Sequence, residues 1–236
     1  IRVEGHLHVI RMDEREIRVG HFPIGIDADA FIASATAPDV EESANAFRSC
    51  YPDRQVVLGL DRLDYTKGIP ERLRAFANLL ERFPEVRERI HLVQVVVPSR
   101  EGIPKYDQLK TEIDRLVGNI NGRFGAVGWV PVHYFYRSLA KVELLSFYRA
   151  AGIALVTPLK DGMNLVAKEF CACSVEENSV LILSQFAGAA SQLGRAALVV
   201  NPYDAEQTAD AIYNAFRMNH SERRYPMRRL RRNVRT

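Results

Sequence analysis

The sequence predicts an α/β fold in which helices cover both faces of a parallel sheet. From residue 55 onward, apolar stretches of strand length alternate with helical patterns of about 10–15 residues, as in βαβ units. The apolar stretches are continuous, which is typical of strands buried on both faces. With 47% hydrophobic and 26% charged residues, the 236-residue chain has an ordinary globular composition. We interpret residues 1–236 as a single domain.

The first 35 residues are predicted to form short strands that lead into this domain. Loose alternation supports strands at 6–10 and 16–19, and the stretch 22–27 ends in a turn. A helix with its charges on one side is predicted over 40–50.

The regular part of the pattern begins at residue 55. Strands are predicted at 55–60, 90–97, 125–130, 153–156, 180–184 and 197–200. Helices are predicted at 69–83, 106–120, 140–150, 165–173 and 205–219. In the first of these helices, Leu73, Phe76, Leu79 and Leu80 recur at helical spacing.

The tail after residue 220 is rich in arginine and allows two interpretations. One is a nucleic-acid or membrane contact; the other is a terminal helix with a basic face, whose apolar surface comes from Tyr225, Met227, Leu230 and Val234. The helix is favoured because no nucleic-acid motif accompanies the tail and the net charge is only +3. No run of about 18 apolar residues predicts a membrane span. We therefore expect no nucleic-acid or membrane partner.

The cysteines and the start of the chain indicate a cytoplasmic protein. Ile1 begins abruptly, without a methionine or an apolar signal region, so we expect no secretory signal and a piece of a longer chain. Cys50, Cys171 and Cys173 have no zinc spacing and are predicted to be buried, reduced thiols. His6 and His8 lack the usual set of metal ligands, so no metal is expected.

A turn between a predicted strand and a predicted helix, residues 157–169, is the most informative stretch. Such a turn directs the unpaired N–H groups of a helix N-terminus at an anion. Asp161 could accept hydrogen bonds from sugar hydroxyls or cap the helix. Glu169 could bind both hydroxyls of a ribose or form an ion pair with a lysine.

A second stretch, residues 60–70, also follows a buried strand and precedes a helix. Arg62 offers a flat fork and Lys67 a point charge, which together suit a diphosphate. The alternative is that Arg62 pairs with Asp61 or Asp64 and that Lys67 is solvated.

These stretches resemble the trehalose-6-phosphate synthases, retaining glycosyltransferases of the two-domain GT-B type. The resemblance covers nearly the whole chain and rests on the runs 22–27, 60–68, 128–129, 157–169, 183–189 and 200–204. It implies that the chain is the C-terminal, Rossmann-like domain that binds a nucleotide sugar. It also implies that the N-terminal acceptor domain is absent from this sequence.

The resemblance implies a role for each residue that matches the family pattern. Arg62 and Lys67 match the catalytic pair that holds the donor diphosphate, and Asp161 matches the acid that contacts the transferred glucose. Arg100 matches a residue that reaches the acceptor phosphate, and Leu139 stands where the family commonly has a larger residue at the nucleobase. The remaining implied substrate contacts are Gly162, Met163 and Asn164 to sugar hydroxyls, Leu165 and Val166 over the phosphates and nucleoside, Ala167 and Lys168 beside them, and Glu169 to the ribose.

The implied activity is transfer of glucose, with retention, from a nucleotide-glucose such as UDP-glucose to glucose 6-phosphate. The resemblance implies no cofactor and no metal, and it leaves open a homo-oligomer of the full-length protein. The fragment alone is expected to bind the donor and to catalyse little or nothing. One alternative is another phosphorylated acceptor, glycerol 3-phosphate or a cyclitol phosphate. The other is a non-catalytic regulatory subunit that binds a sugar nucleotide.

Overall fold

The computed structural model describes residues 8–12, 15–20, 22–100 and 102–235. The strands are β1 His8–Met12, β2 Arg15–Val19, β3 Gln55–Arg62, β4 Ile90–Val97, β5 Val132–Tyr136, β6 Ile153–Val156, β7 Val180–Ser184 and β8 Leu198–Val200. The helices are α1 Ala28–Ala35, α2 Pro38–Ser49, α3 Ile69–Arg82, α4 Pro104–Phe124, α5 Lys141–Ala150, α6 Leu165–Cys173, α7 Ala190–Leu193, α8 Ala205–Arg217 and α9 His220–Val234.

The main sheet has six strands in the order β5-β4-β3-β6-β7-β8, and its pairings are all parallel. β1 and β2 form a separate antiparallel pair. Within the main sheet the chain runs outward from β3 to β5 and then returns to β6 on the other side of β3. The direction of winding therefore reverses between β3 and β6. Open α/β sheets bind ligands at such a reversal, beyond the carboxyl ends of the strands.

Helices cover both faces of the sheet, which confirms the predicted fold class. One hydrophobic cluster joins the sheet to α3, α4 and α8, and the other joins it to α1, α2, α5, α6 and α9. In β4, Leu92 and Val96 face the first cluster, whereas Val93 and Val95 face the second. Because each face of the strand meets a helix layer, its sequence is apolar throughout.

Two elements differ from the sequence-based prediction near the start and the middle of the chain. Residues 28–35 form helix α1 instead of a strand, and the Asp27 side chain caps it by accepting from the Ala30 N–H at 3.0 Å. The strand predicted at 125–130 is wrong, because Ala126 and Trp129 close a tight turn in which Gly128 has a φ of 80°. The edge strand lies further along, at Val132–Tyr136. His6 lies outside the described residues.

The terminal helix α9 confirms the favoured interpretation of the basic tail. Met227, Leu230 and Val234 are buried against the second cluster, whereas Tyr225 is 67% exposed and was wrongly assigned to the apolar face. Nitrogens of Arg224, Arg228 and Arg231 lie 3.1–3.6 Å from the carboxylate of Glu177. Across the described residues, no helix combines the length and the apolarity needed to cross a membrane.

The cysteines follow the prediction in part. Cys171 and Cys173 are free and buried, whereas Cys50 is free but exposed at the end of α2. Burial raises the pKa of the Cys173 thiol to about 12, so this thiol stays protonated at neutral pH.

Candidate active site

Two loops meet where the winding of the sheet reverses, the β3–α3 loop (63–68) and the β6–α6 loop (157–164). The Leu159 N–H donates to the Thr66 carbonyl at 2.8 Å and joins them. Gly68 has a φ of 65°, and a Cβ there would lie 2.6 Å from the Thr157 carbonyl oxygen. The loops can approach this closely because position 68 has no side chain.

Lys67 and Asp161 bridge the two loops. Lys67 Nζ lies 2.5 Å from Asp161 Oδ2, and the two side chains are only 16% and 14% exposed. The Asp161 carboxylate also accepts from the Met163 N–H at 3.2 Å and from Asn164 Nδ2 at 3.1 Å. The alternative interpretation, in which Lys67 is solvated, is therefore wrong.

Helix α6 is capped by Asn164 and not by Asp161. Asn164 has a φ of 69°, and its side-chain oxygen accepts from the Ala167 N–H at 3.2 Å. The N–H groups of Leu165 and Val166, in the first turn, have no acceptor within the helix. They form the positive end of the helix dipole, beside the Lys67–Asp161 pair.

A third loop, residues 185–189 after β7, fixes the position of the β6–α6 loop. The Gly188 N–H donates to the Asp161 carbonyl at 3.0 Å, and the Ala189 N–H donates to the Met163 carbonyl at 2.7 Å. A Cβ on Gly188 would lie 2.0 Å from the Gly162 carbonyl oxygen. The run 183–189 was identified only through its resemblance to the family, and its support of the turn was not predicted.

Gly188→Ala is expected to lower the free energy of unfolding by about 1–3 kcal/mol, because the added methyl group overlaps the Gly162 carbonyl. Gly162→Ala is the matched control, since a Cβ at that position meets no atom within 4 Å. It should change stability by less than about 0.5 kcal/mol. Urea unfolding monitored by circular dichroism measures both. Equal losses in the two variants would contradict the close approach of the loops.

Arg62 is the last residue of β3, and its side chain is exposed. Both acids that could have paired with it have other partners. The carboxylate of Asp61 lies 2.7 Å from Arg72 Nη1, and that of Asp64 accepts from the N–H and the hydroxyl of Thr66 at 2.8 and 2.7 Å. Within the described ranges, Arg62 makes no side-chain hydrogen bond or ion pair. Its guanidinium is therefore available to a ligand at the mouth of the site.

A buried polar network includes Asp61, the residue before Arg62 in β3. Arg72 Nε donates to the Thr157 hydroxyl at 3.1 Å, and Arg72 Nη1 donates to Gln94 Oε1 at 3.3 Å. The Asp61 and Arg72 side chains are only 3% and 0% exposed. Burial raises the pKa of Asp61, and the charge of Arg72 offsets part of this rise. The network connects α3 to β3, β4 and the first residue after β6, so it holds both site loops.

Glu169 faces a tyrosine and not a lysine. The Tyr148 hydroxyl donates to Glu169 Oε2 at 2.8 Å, and Glu169 is half-buried one turn into α6. Burial raises the pKa of Glu169 above its ordinary value, and the hydrogen bond from Tyr148 opposes part of that rise. The second carboxylate oxygen has no protein partner among the described residues.

Arg100 is exposed beyond the carboxyl end of β4, next to β3 in the sheet. Its backbone has a φ of 52°, and its Nη1 donates to the Tyr106 hydroxyl at 2.7 Å. Lys105 Nζ lies 3.9 Å from the centre of the Tyr65 ring, which in turn packs edge-on against Tyr106. Two cations are thus held by aromatic rings at the same sheet edge as Arg62.

The remaining predicted residues divide between the loop surface and the interior. Gly162 is exposed, and Met163, Leu165, Val166 and Leu139 are half-buried. Ala167 is fully buried, and Lys168 Nζ donates to the Ile24 carbonyl at 3.0 Å. Burial lowers the pKa of Lys168. The structural bond of Lys168 was not foreseen, because Ile24 is distant in sequence.

The family model described as Glycosyltransferase family 20 matches residues 1–236. A trehalose-6-phosphate synthase of Mycobacterium avium is 46% identical over 226 residues, which are 95% of this chain and 46% of that protein. A bifunctional trehalose-6-phosphate synthase/phosphatase of Thermoproteus tenax is 48% identical over 213 residues, which are 90% of this chain and 29% of that protein.

Solved structures are similar over almost the whole chain. An α,α-trehalose-phosphate synthase (UDP-forming) from Burkholderia xenovorans, in complex with glucose 6-phosphate, aligns with a TM-score of 0.92 and 34% identity over 99% of this chain and 51% of that one. An E. coli protein bound with UDP-2-fluoro glucose aligns with a TM-score of 0.88 and 33% identity over 97% of this chain and 52% of that one. This chain thus spans about half of each solved structure, and half or less of the two relatives.

Proposed function

This chain belongs to glycosyltransferase family 20, and from that premise we propose that the whole protein transfers glucose from UDP-glucose to glucose 6-phosphate. The product is trehalose 6-phosphate, formed with retention at the anomeric carbon. The observation that carries the proposal is the Lys67–Asp161 pair, which lies beside the N-terminus of α6 where the winding of the sheet reverses. This pair supports the proposal because a cation suits a diphosphate and the acid beside it suits a sugar hydroxyl.

The proposed chemistry takes place on one face of the sugar. The bond between the anomeric carbon and the diphosphate breaks, and a bond to the acceptor hydroxyl oxygen forms on the same face. The hydroxyl proton passes to the departing diphosphate oxygen. Arg62, Lys67 and the first N–H groups of α6 stabilise the negative charge that develops on the diphosphate. The proposal uses only groups of the protein and its substrates, with no cofactor or metal.

The other site residues determine which molecules bind. In the proposal Asp161 accepts from a glucose hydroxyl, Glu169 accepts from the ribose, and Leu139 lies at the nucleobase. Arg100, held by Tyr106, contacts the phosphate of the acceptor. Because Arg100 recognises a phosphate and not a particular alcohol, glycerol 3-phosphate and cyclitol phosphates are the competing acceptors.

We assign the donor side of the reaction to this chain and most acceptor contacts to the part of the whole protein that it does not span. The chain alone then binds the donor and transfers little glucose, because positioning of the second substrate supplies much of such a rate. The free thiols of Cys171 and Cys173 support a cytoplasmic location.

Initial rates of the whole protein with UDP-glucose and a panel of acceptors test the proposal. Glucose 6-phosphate should give the highest kcat/KM, and NMR of the product should show an α,α-linked disaccharide phosphate. Preference for glycerol 3-phosphate or a cyclitol phosphate would identify a different acceptor. Binding of UDP-glucose without transfer to any acceptor would instead identify a regulatory subunit.

Affinity for the donor is expected to fall as the pH falls through the raised pKa of Glu169. Only the ionised carboxylate can accept from both ribose hydroxyls, and proton uptake begins at a higher pH than for an exposed glutamate. Calorimetric titration of UDP between about pH 4 and 8 measures the effect, a range that spans the ordinary glutamate pKa of about 4.3.

Two variants separate Glu169 from other titrating groups. Tyr148→Phe removes the hydrogen bond that stabilises the carboxylate, so it should move the loss of affinity to higher pH. Glu169→Gln should bind UDP more weakly and with less dependence on pH. An unchanged pH profile in Glu169→Gln would contradict the ribose role.

A further inference from the structure

A cavity of about 780 Å³ lies at the opposite ends of the strands from the candidate active site. Its wall includes Gln55, the first residue of β3, and Gly152 and Ser179, which directly precede β6 and β7. It is therefore at the amino ends of the strands. Since β3 has eight residues, the two sites are separated by about 25 Å along that strand.

The cavity is strongly basic. Six arginines line it, against only two acids, Asp53 and Glu176. The arginines are Arg48, Arg54, Arg89, Arg149, Arg217 and Arg223. Its volume is in the range of pockets that bind small molecules, about 300–1,000 Å³.

Structural roles account for three of these arginines. In an α/β fold the carboxyl ends of the helices lie at this edge, and they attract cations. Arg223 donates to the Ala215 carbonyl at 2.9 Å, near the end of α8, and Arg149 donates to the Ala35 carbonyl at 3.0 Å, at the end of α1. Arg149 also pairs with Glu176, and Arg48 donates to the Arg149 carbonyl.

Arg54 and Arg89 have no such compensation. Among the described residues, the Arg54 side chain makes one hydrogen bond, to the Gly128 carbonyl at 3.0 Å. The Arg89 side chain makes none, and its guanidinium lies 5.1 Å from the centre of the Phe216 ring. Neither forms an ion pair with an acid among the described residues. Burial lowers the pKa values of both His91 and His133, His133 lowers that of His91 further, and the charge of Arg54 lowers both. The two rings, which pack against Tyr51, therefore stay neutral at neutral pH. This part of the wall thus carries uncompensated positive charge.

The cavity also presents a neutral hydrogen-bonding group. The Gln55 amide lies across Gly152, where a Cβ would be 1.9 Å from Gln55 Nε2. Gly152 therefore allows the amide to occupy this position. No hydrogen bond of the Gln55 side chain to a described residue is present, so the amide can bond to a ligand.

We propose that this cavity at the amino ends of the strands is a second anion site, which binds a small phosphorylated molecule through Arg54, Arg89 and the Gln55 amide. A guanidinium binds two phosphate oxygens at once, and two guanidiniums suit a ligand with at least two negative charges. The volume of the cavity fits a small molecule, which favours such a ligand over an extended acidic peptide.

Calorimetric titration of the whole protein with inorganic pyrophosphate tests the proposal. Anion binding at the candidate active site is first removed by Arg62→Ala and Lys67→Ala, so that any remaining binding reports on other sites. In this background, Arg54→Gln with Arg89→Gln should raise the Kd for pyrophosphate by about tenfold or more. The matched control, Arg229→Gln with Arg232→Gln on α9, removes the same charge elsewhere and should leave the Kd unchanged.

Arg89→Gln alone is the variant with the smallest expected effect on folding, since the Arg89 side chain makes no hydrogen bond or ion pair with a described residue. It should raise the Kd about threefold or more. Thermal unfolding confirms that each variant is folded. The proposal is overturned if the background binds no pyrophosphate, or if the cavity and control pairs weaken binding equally. It is also overturned if a hexa-aspartate peptide binds the cavity more tightly than pyrophosphate, because the site would then serve an acidic protein segment.

Discussion

Arg62→Ala is expected to lower kcat for glucosyl transfer by about 100- to 1,000-fold, the usual effect of removing one donor from a developing oxyanion. Stability should change by less than about 0.5 kcal/mol, because the side chain is exposed and makes no polar contact with a described residue. Steady-state kinetics with UDP-glucose and glucose 6-phosphate measures the first effect, and urea unfolding measures the second.

Arg62→Lys shows whether charge or shape matters at this position. It keeps the positive charge but loses the flat fork, so its kcat should lie between those of Arg62→Ala and the parent protein. Arg229→Ala, an exposed arginine on α9 that contacts the Tyr225 ring, should leave kcat unchanged. A kcat for Arg62→Ala within threefold of the parent value would show that Arg62 does not stabilise the leaving group.

Asp61→Asn is expected to lower the free energy of unfolding by about 3–5 kcal/mol, because it leaves the buried Arg72 charge without its acid. The Arg72 side chain is 0% exposed, so water cannot replace the lost carboxylate. Urea unfolding at neutral pH measures the loss. The effect should appear as a lower midpoint with an unchanged slope.

The double variant Asp61→Leu with Arg72→Met is the informative control. It removes both charges and fills the space with apolar side chains, so it should recover most of the stability. Recovery should be incomplete, since Thr157 and Gln94 lose their hydrogen bonds to Arg72. A double variant no more stable than Asp61→Asn would show that the charge pair is not the origin of the loss.

The sequence predicted the parallel sheet because each central strand and its helix carry a strong local pattern. The continuous apolar run of β4 and the helical spacing of Leu73, Phe76 and Leu80 in α3 are examples. Helix α1 was not predicted because it has only eight residues, most of them apolar. Its clearest signal in the sequence is the single capping residue, Asp27. The edge strand was wrongly predicted at 125–130 because that stretch is largely apolar. Gly128, with its positive φ, instead lies in a turn.

For the candidate site, sequence predicted which residues lie at the strand ends but not which of them contact each other. The Lys67–Asp161 pair joins positions 94 residues apart, and the Tyr148–Glu169 bond joins two different helices. Spacing along one strand or helix carries no information on such contacts. The pairing of Asp61 with Arg72 was likewise not predicted. Asp61 and Asp64 were considered only as partners of Arg62, which is close to both in the sequence.

The ion pair between Lys67 and Asp161 has a consequence for discrimination between ligands. A free phosphate can replace the carboxylate at Lys67, but it then leaves a nearly buried Asp161 without its counter-charge, which is costly. Under the proposed function, a nucleotide sugar would supply both replacements at once, an anion for Lys67 and a hydroxyl for Asp161. After transfer of the sugar, the remaining nucleotide would satisfy only one of the two groups. Re-formation of the pair would then favour departure of the spent nucleotide, so the same contact would select the intact donor and promote turnover.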